Sequence, residues 1–177
     1  MPECIKRYFF NKAVAKATKA GISTKLPEQR INTIVLLLER PQLEAFDSIK
    51  KTLIHNFDFQ HVKIILFDAS NVKEPIEHIF IDFVFKKKDF NFFGSVKREK
   101  LTPLTQIKAD LFINLVEKNT VYSDRIMLGI NSLFKVAFSA EVQRLASLTV
   151  DSGTKKEVTQ QLELVSDYLN AFNGNTA

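Results

Sequence analysis

Ile31-Asn32-Thr33-Ile34-Val35-Leu36-Leu37-Leu38-Glu39-Arg40-Pro41 holds the segment on which the fold turns. Ile34 to Leu38 is a continuous apolar run. A strand with one wet face alternates apolar and polar residues, so an unbroken run marks a strand from Ile31 to Leu38 covered on both faces. Pro41 suits the first turn of a following helix, where its missing N–H is no loss. Leu43, Phe46, Ile49, Leu53 and Ile54 then recur at helical spacing through about His55.

Outward from this unit the pattern repeats. Val62 to Phe67 reads as a second buried strand and Ile79 to Phe85 as a third. Lys86 to Lys100 is irregular, with Asn91 and Gly94 as breakers. Thr102-Pro103 opens a helix to about Lys108, and Leu111 to Val116 is a fourth strand. Ser123 to Leu133 is a helix, Phe134 to Phe138 a fifth strand, and Leu145 to Val150 a short sixth. Glu157 to Phe172 is amphipathic, with Val158, Leu162, Val165, Leu169 and Phe172 on one side. Strands alternating with helices predict an α/β fold: a doubly wound, mostly parallel sheet of five or six strands, Rossmann-like and three-layered. A helix over 4–20 precedes it, rich in alanine, with a thin stripe of Phe9, Ala13, Ala17 and Ala20. The expected organisation is a basic helical arm, 1–25, before a single α/β domain, 26–173.

The 177 residues suit one domain. Hydrophobic residues make up 45% and charged residues 25%, a globular composition rather than a disordered one. Cys4 is the single cysteine, which excludes an intramolecular disulfide and a thiolate metal cluster within one chain. With no apolar run long enough to span a bilayer, the expected setting is soluble and cytoplasmic.

Charge is unevenly placed. Residues 1–25 hold six basic side chains and one acidic, whereas the rest of the chain holds nineteen of each. The net +5 therefore sits in the N-terminal arm, whose cations are Lys6, Arg7, Lys12, Lys16, Lys19 and Lys25. A second local excess spans 86–100, where Lys86, Lys87, Lys88, Lys97, Arg98 and Lys100 face only Asp89 and Glu99. Such asymmetry points to an anionic partner.

Lys86-Lys87-Lys88-Asp89-Phe90-Asn91-Phe92-Phe93-Gly94 and Ala109-Asp110-Leu111-Phe112-Ile113-Asn114-Leu115, with Ser132-Leu133-Phe134-Lys135-Val136-Ala137 and the basic leading helix, resemble a bacterial family of small proteins known only as a domain of unknown function. The resemblance covers nearly the whole chain and implies no activity. The Asp-Leu-Phe-Ile-Asn-Leu pattern also looks like a fold element in the N-terminal half of heptosyltransferase-like glycosyltransferases.

Most familiar chemistries lack their residues. Leu38-Glu39-Arg40-Pro41 has no glycine where a dinucleotide fingerprint needs several, and there is no phosphate-binding loop, so no cofactor is expected. His55, His61 and His78 have no His or Cys at ligand spacing, so no metal is expected. No Gly-x-Ser-x-Gly elbow exists, and no catalytic residue is assigned. In open α/β sheets ligands bind beyond the carboxyl ends of the strands, which makes Asp68, Ser70, Asn71, Glu117, Asn119 and Ser139 the pocket candidates; as turn and cap residues they would be equally at home there.

The anion-binding candidates are Lys6, Arg7, Lys12, Lys16 and Lys19 in the arm and Lys86, Lys87, Lys88, Lys97 and Arg98 in the loop. Phe90, Phe92 and Phe93 among them either stack on unpaired bases or plug the core beneath the loop. These features point away from an enzyme, toward an accessory protein that contacts RNA or a ribonucleoprotein. The alternatives are a small-ligand binder resembling half a glycosyltransferase, and a scaffold that pairs with another protein.

Overall fold

The structure, a computed structural model, describes residues 2–19, 31–70, 80–117, 120–138, 144–151 and 157–172; of Lys19 it gives the backbone only. The chain runs α1 (Glu3–Lys19), β1 (Ile31–Glu39), α2 (Phe46–Asn56), β2 (Phe59–Asp68), β3 (Phe83–Lys86), α3 (Arg98–Gln106), β4 (Lys108–Asn114), α4 (Val121–Gly129), β5 (Asn131–Ala137), β6 (Leu148–Thr149) and α5 (Val158–Phe172). Short 3-10 turns occupy Arg40–Ala45 and Lys87–Asp89.

Among the described residues six strands form one all-parallel sheet in the order β3-β2-β1-β4-β5-β6. This is the doubly wound Rossmann-like architecture, and the strand order reverses between β1 and β4. The apolar run in β1 is explained by what covers it. Val35 and Leu37 face a core layer with Phe10 and Val14 of α1, Leu104 of α3 and Ile126 and Met127 of α4. Ile34, Leu36 and Leu38 face the opposite layer with Ile49 and Leu53 of α2 and Leu162, Val165 and Leu169 of α5. Ile34 to Leu38 are wholly buried.

Several boundaries differ from the sequence reading for physical reasons. β3 starts at Phe83 because Asp82 takes over the edge of β2: its N–H donates to the Ile64 carbonyl at 3.0 Å and its Oδ2 accepts from the Ile64 N–H at 2.8 Å. α3 begins at Arg98, before Thr102-Pro103, since the Lys97 carbonyl already accepts from the Leu101 N–H at 2.9 Å; Pro103 lies inside the helix. α4 begins at Val121, where Thr120 and Ser123 cap each other's backbone N–H at 2.9 and 3.2 Å, and it ends at Gly129. Asn131 to Leu133, read as the end of that helix, belong to β5 alongside β4.

Candidate functional site

α1 shows which of its cations remain available. Phe10 and Val14, one turn apart, are 4% exposed and lie in the core beside α4. The buried stripe is thus rotated from the predicted one; Phe9, Ala13 and Ala17 are only half-buried. Arg7 continues the docking face, its Nη1 lying 2.5 Å from Oδ2 of the wholly buried Asp124. Lys6 donates to the Tyr122 hydroxyl and lies over that ring. Lys6 and Arg7 therefore fasten α1 to α4. On the opposite side Lys12 and Lys16 are exposed, next to Tyr8. The Lys19 side chain and Lys25 lie outside the described residues.

The stretch after β3 is more ordered than its sequence suggests. Phe90 and Val96 form an isolated antiparallel bridge, and the Lys97 N–H donates to the Asp89 carbonyl at 2.8 Å. Inside this frame the Asn91 N–H donates to the Ser95 carbonyl, while the Asn91 Oδ1 accepts from the Phe93 and Ser95 N–H groups, both at 3.0 Å. Gly94, at φ +76°, completes the turn. Phe90 is buried against Phe67, Phe85 and Tyr122. Phe92 and Phe93 are 67% and 44% exposed. Phe90 thus plugs the core, while its two neighbours stand out from it.

The two basic segments touch. The Phe93 ring packs on Phe9 at 4.7 Å between centroids, and a Cβ built on Gly94 would lie 3.6 Å from Cβ of Lys6. Lys87, Lys88, Lys97 and Arg98 are exposed around the turn. Lys100 instead donates to the Val84 carbonyl at 3.2 Å.

At the carboxyl ends of the strands the charges face one another. Asp68, wholly buried at the end of β2, has Arg40 Nε at 3.6 Å and Lys86 Nζ at 3.6 Å. Its Oδ1 accepts from the Ser70 N–H at 3.0 Å and the Ser70 hydroxyl at 2.5 Å. Burial would raise this carboxyl, but the Ser70 hydrogen bonds with the Arg40 and Lys86 charges outweigh it and hold it below the ordinary value. Beside the switch point, burial and then the Glu117 carboxylate push the Glu39 carboxyl up, against a hydrogen bond from the Glu117 backbone. Gln42, buried there, donates to the Leu115 carbonyl and accepts from the Glu39 N–H at 2.8 Å. Of the other pocket candidates, Asn71, Asn119 and Ser139 lie outside the described residues.

Three further features were not read from the sequence. Lys135 of β5 donates to the Met127 carbonyl at 2.7 Å, in the last turn of α4, and burial pushes its ammonium down to about 8. Asp110 Oδ2 accepts from the Asn32 and Thr33 N–H groups at 2.8 and 3.0 Å, tying β4 to the start of β1. A cavity of about 500 Å³ opens between α2 and the outer edge of β2, lined by Phe46, Leu53, Phe59, Val62 and Phe80 with Lys50 beside them. Among the described residues β3 pairs with Ile65–Asp68, past the part of β2 that lines this cavity. Among the described residues no three His, Cys, Asp or Glu side chains are grouped to hold a metal. Nor is any described helix long and apolar enough to cross a membrane.

A model of the family of unknown function DUF6913 matches residues 6–172, which takes in most of α1 and all of α5. No curated protein and no solved structure matches the chain, so the heptosyltransferase likeness remains one of sequence pattern.

Proposed function

The chain belongs to that family of unknown function, which brings no activity with it, and we propose from the geometry that it is an accessory protein docking RNA on the surface shared by α1 and the aromatic turn. One observation carries the reading: the two excesses of positive charge, far apart in sequence, meet where Phe93 packs on Phe9 and Gly94 approaches Lys6. Lys12, Lys16, Lys87, Lys88, Lys97 and Arg98 stand exposed on these two elements. Clustered cations bind a phosphate backbone by releasing its counterions, an effect independent of sequence and weakened by salt. The reading carries a cytoplasmic setting with it, in which the exposed Cys4 stays reduced.

The test is a fluorescence-anisotropy titration of a labelled RNA across a salt series. Binding that weakens log-linearly with salt is expected. Replacing Lys12, Lys16, Lys97 and Arg98 by glutamate, all exposed and outside the core, is expected to weaken it at least about tenfold. On a single strand the salt slope should flatten by roughly 0.7 for each phosphate that is no longer neutralised. A quadruple variant that binds as tightly as the native chain overturns the proposal.

A further inference from the structure

The cations explain attraction to any polyanion, but they do not explain the rings between them. Tyr8, Phe92 and Phe93 are 63%, 67% and 44% exposed, whereas Phe90 in the same turn is 5% exposed. Fraying is not the cause, because the Asn91 carboxamide and the Phe90–Val96 bridge close the turn with hydrogen bonds. The rings form a continuous edge-to-face series. Tyr8 meets Phe9 at 5.5 Å and 81°, Phe9 meets Phe93 at 4.7 Å and 60°, and Phe93 meets Phe92 at 5.6 Å and 87°.

We infer that this surface takes single-stranded RNA, with unpaired bases stacked on Tyr8, Phe92 and Phe93 and the strand's phosphates on Lys12, Lys16, Lys97 and Arg98. The inference rests on the RNA reading above and narrows it. In a duplex the base faces are already covered by their neighbours, so exposed rings have nothing to stack on; an unpaired base offers its face regardless of sequence. The surrounding charge decides between a polyanion and an apolar protein partner. A partner covering the rings with apolar side chains would have to strip water from the flanking lysines with no charge to replace it. The acids close in sequence are Glu3, Asp89 and Glu99, and Asp89 Oδ2 already accepts from the Lys86 N–H at 2.8 Å.

The experiment compares a labelled twelve-nucleotide uridine strand with an RNA hairpin of equal charge whose short loop is a compact tetraloop with its bases stacked on the stem, both titrated with the full chain. The doubly substituted Tyr8→Ala/Phe92→Ala protein changes only exposed rings. It is expected to bind the single strand about tenfold more weakly or worse, and the hairpin within about twofold of native. The chain contains no tryptophan, so Phe92→Trp supplies a lone indole whose fluorescence a stacked uridine strand quenches and the hairpin does not.

Unchanged single-strand affinity in the double variant, or an indole blind to the strand, overturns the stacking inference while leaving the RNA reading standing. Failure of the native chain to bind either RNA removes both. If the ring substitutions instead convert a dimer to a monomer in sedimentation and leave RNA binding untouched, the series is a self-association surface and the inference is overturned.

Discussion

Lys86 and Lys97 belong to the same basic stretch, yet the fold uses them differently. Lys86 turns toward the carboxyl ends of the strands, where it and Arg40 neutralise a buried aspartate. Lys97 stands exposed at the start of α3, beside a turn that carries two exposed rings. The same division runs through α1: Arg7 is paired to Asp124, and Lys12 and Lys16 are exposed on the other side. A charge count sees all of these as equal. The structure separates cations that hold the fold together from cations that face solvent, and only the second kind can attract a polyanion without first giving up an internal partner.

The most severe challenge to this division is to detach α1. Phe10 is 4% exposed against α4, and its ring also receives Arg125 at 5.3 Å. Phe10→Ala removes a large buried ring and leaves a cavity, which costs about 3–5 kcal/mol. Urea unfolding followed by circular dichroism measures this directly. A change under about 0.5 kcal/mol would mean that α1 contributes nothing to the fold and that the two basic segments are not held together.

A smaller effect is expected at the strand ends. Asp68→Asn keeps an oxygen for the Ser70 hydrogen bonds but removes the charge facing Arg40 and Lys86. Breaking one side of a buried ion pair costs about 3–5 kcal/mol. Both partners lie at 3.6 Å and are about a third exposed, so a loss of about 2 kcal/mol is expected here. The pH dependence has a definite sign. The native carboxyl is held below its ordinary 3.8, so its contribution is fully present above that pH and is lost as pH falls through the native value. The gap between native and variant should therefore be constant from neutrality down toward about pH 4 and close at more acid pH. A gap that widened in acid would contradict the assignment. RNA affinity should not fall, because the exposed Lys12, Lys16, Lys97 and Arg98 take no part in the Asp68 cluster.

Much of this was legible in the sequence, and the rest had a reason to be hidden. β1 declares itself because a strand covered on both faces leaves no polar residue between Ile34 and Leu38. The sheet and its crossovers follow from the same local patterning. Which cations are committed was not legible, since Arg7 meets Asp124 and Lys6 meets Tyr122 across more than a hundred residues. The buried face of α1 was misplaced for a related reason. The Phe9-Ala13-Ala17 and Phe10-Val14 stripes are neighbours on one helix, and only the position of α4 chooses between them. At the turn, Asn91 and Gly94 were visible as breakers, but not that the Asn91 carboxamide would close a frame presenting Phe92 and Phe93. Asp68 closes β2 and Ser70 follows it, and the hydrogen bonds that Ser70 donates to Asp68 show how turn chemistry and pocket chemistry draw on the same residue types.

The mildest change falls where the basic segments join. Gly94 lies at φ +76°, a region that L-residues enter at a cost of roughly 1–2 kcal/mol. A Cβ there would also approach Cγ1 of Val121 to 3.0 Å and Cβ of Lys6 to 3.6 Å. Gly94→Ala must therefore strain the turn or push it away from α1 and α4. Stability should fall by about 1–2 kcal/mol, less than for Phe10→Ala, because the core beneath stays filled. If the turn moves, Phe93 separates from Phe9, and single-strand affinity should fall while hairpin affinity holds. Gly94→Asn tolerates the left-handed backbone better than alanine but carries a larger side chain. If backbone strain dominates, asparagine is the milder substitution in urea unfolding; if the approach to Val121 and Lys6 dominates, it is the harsher one. Either result identifies what fixes the turn against the helix.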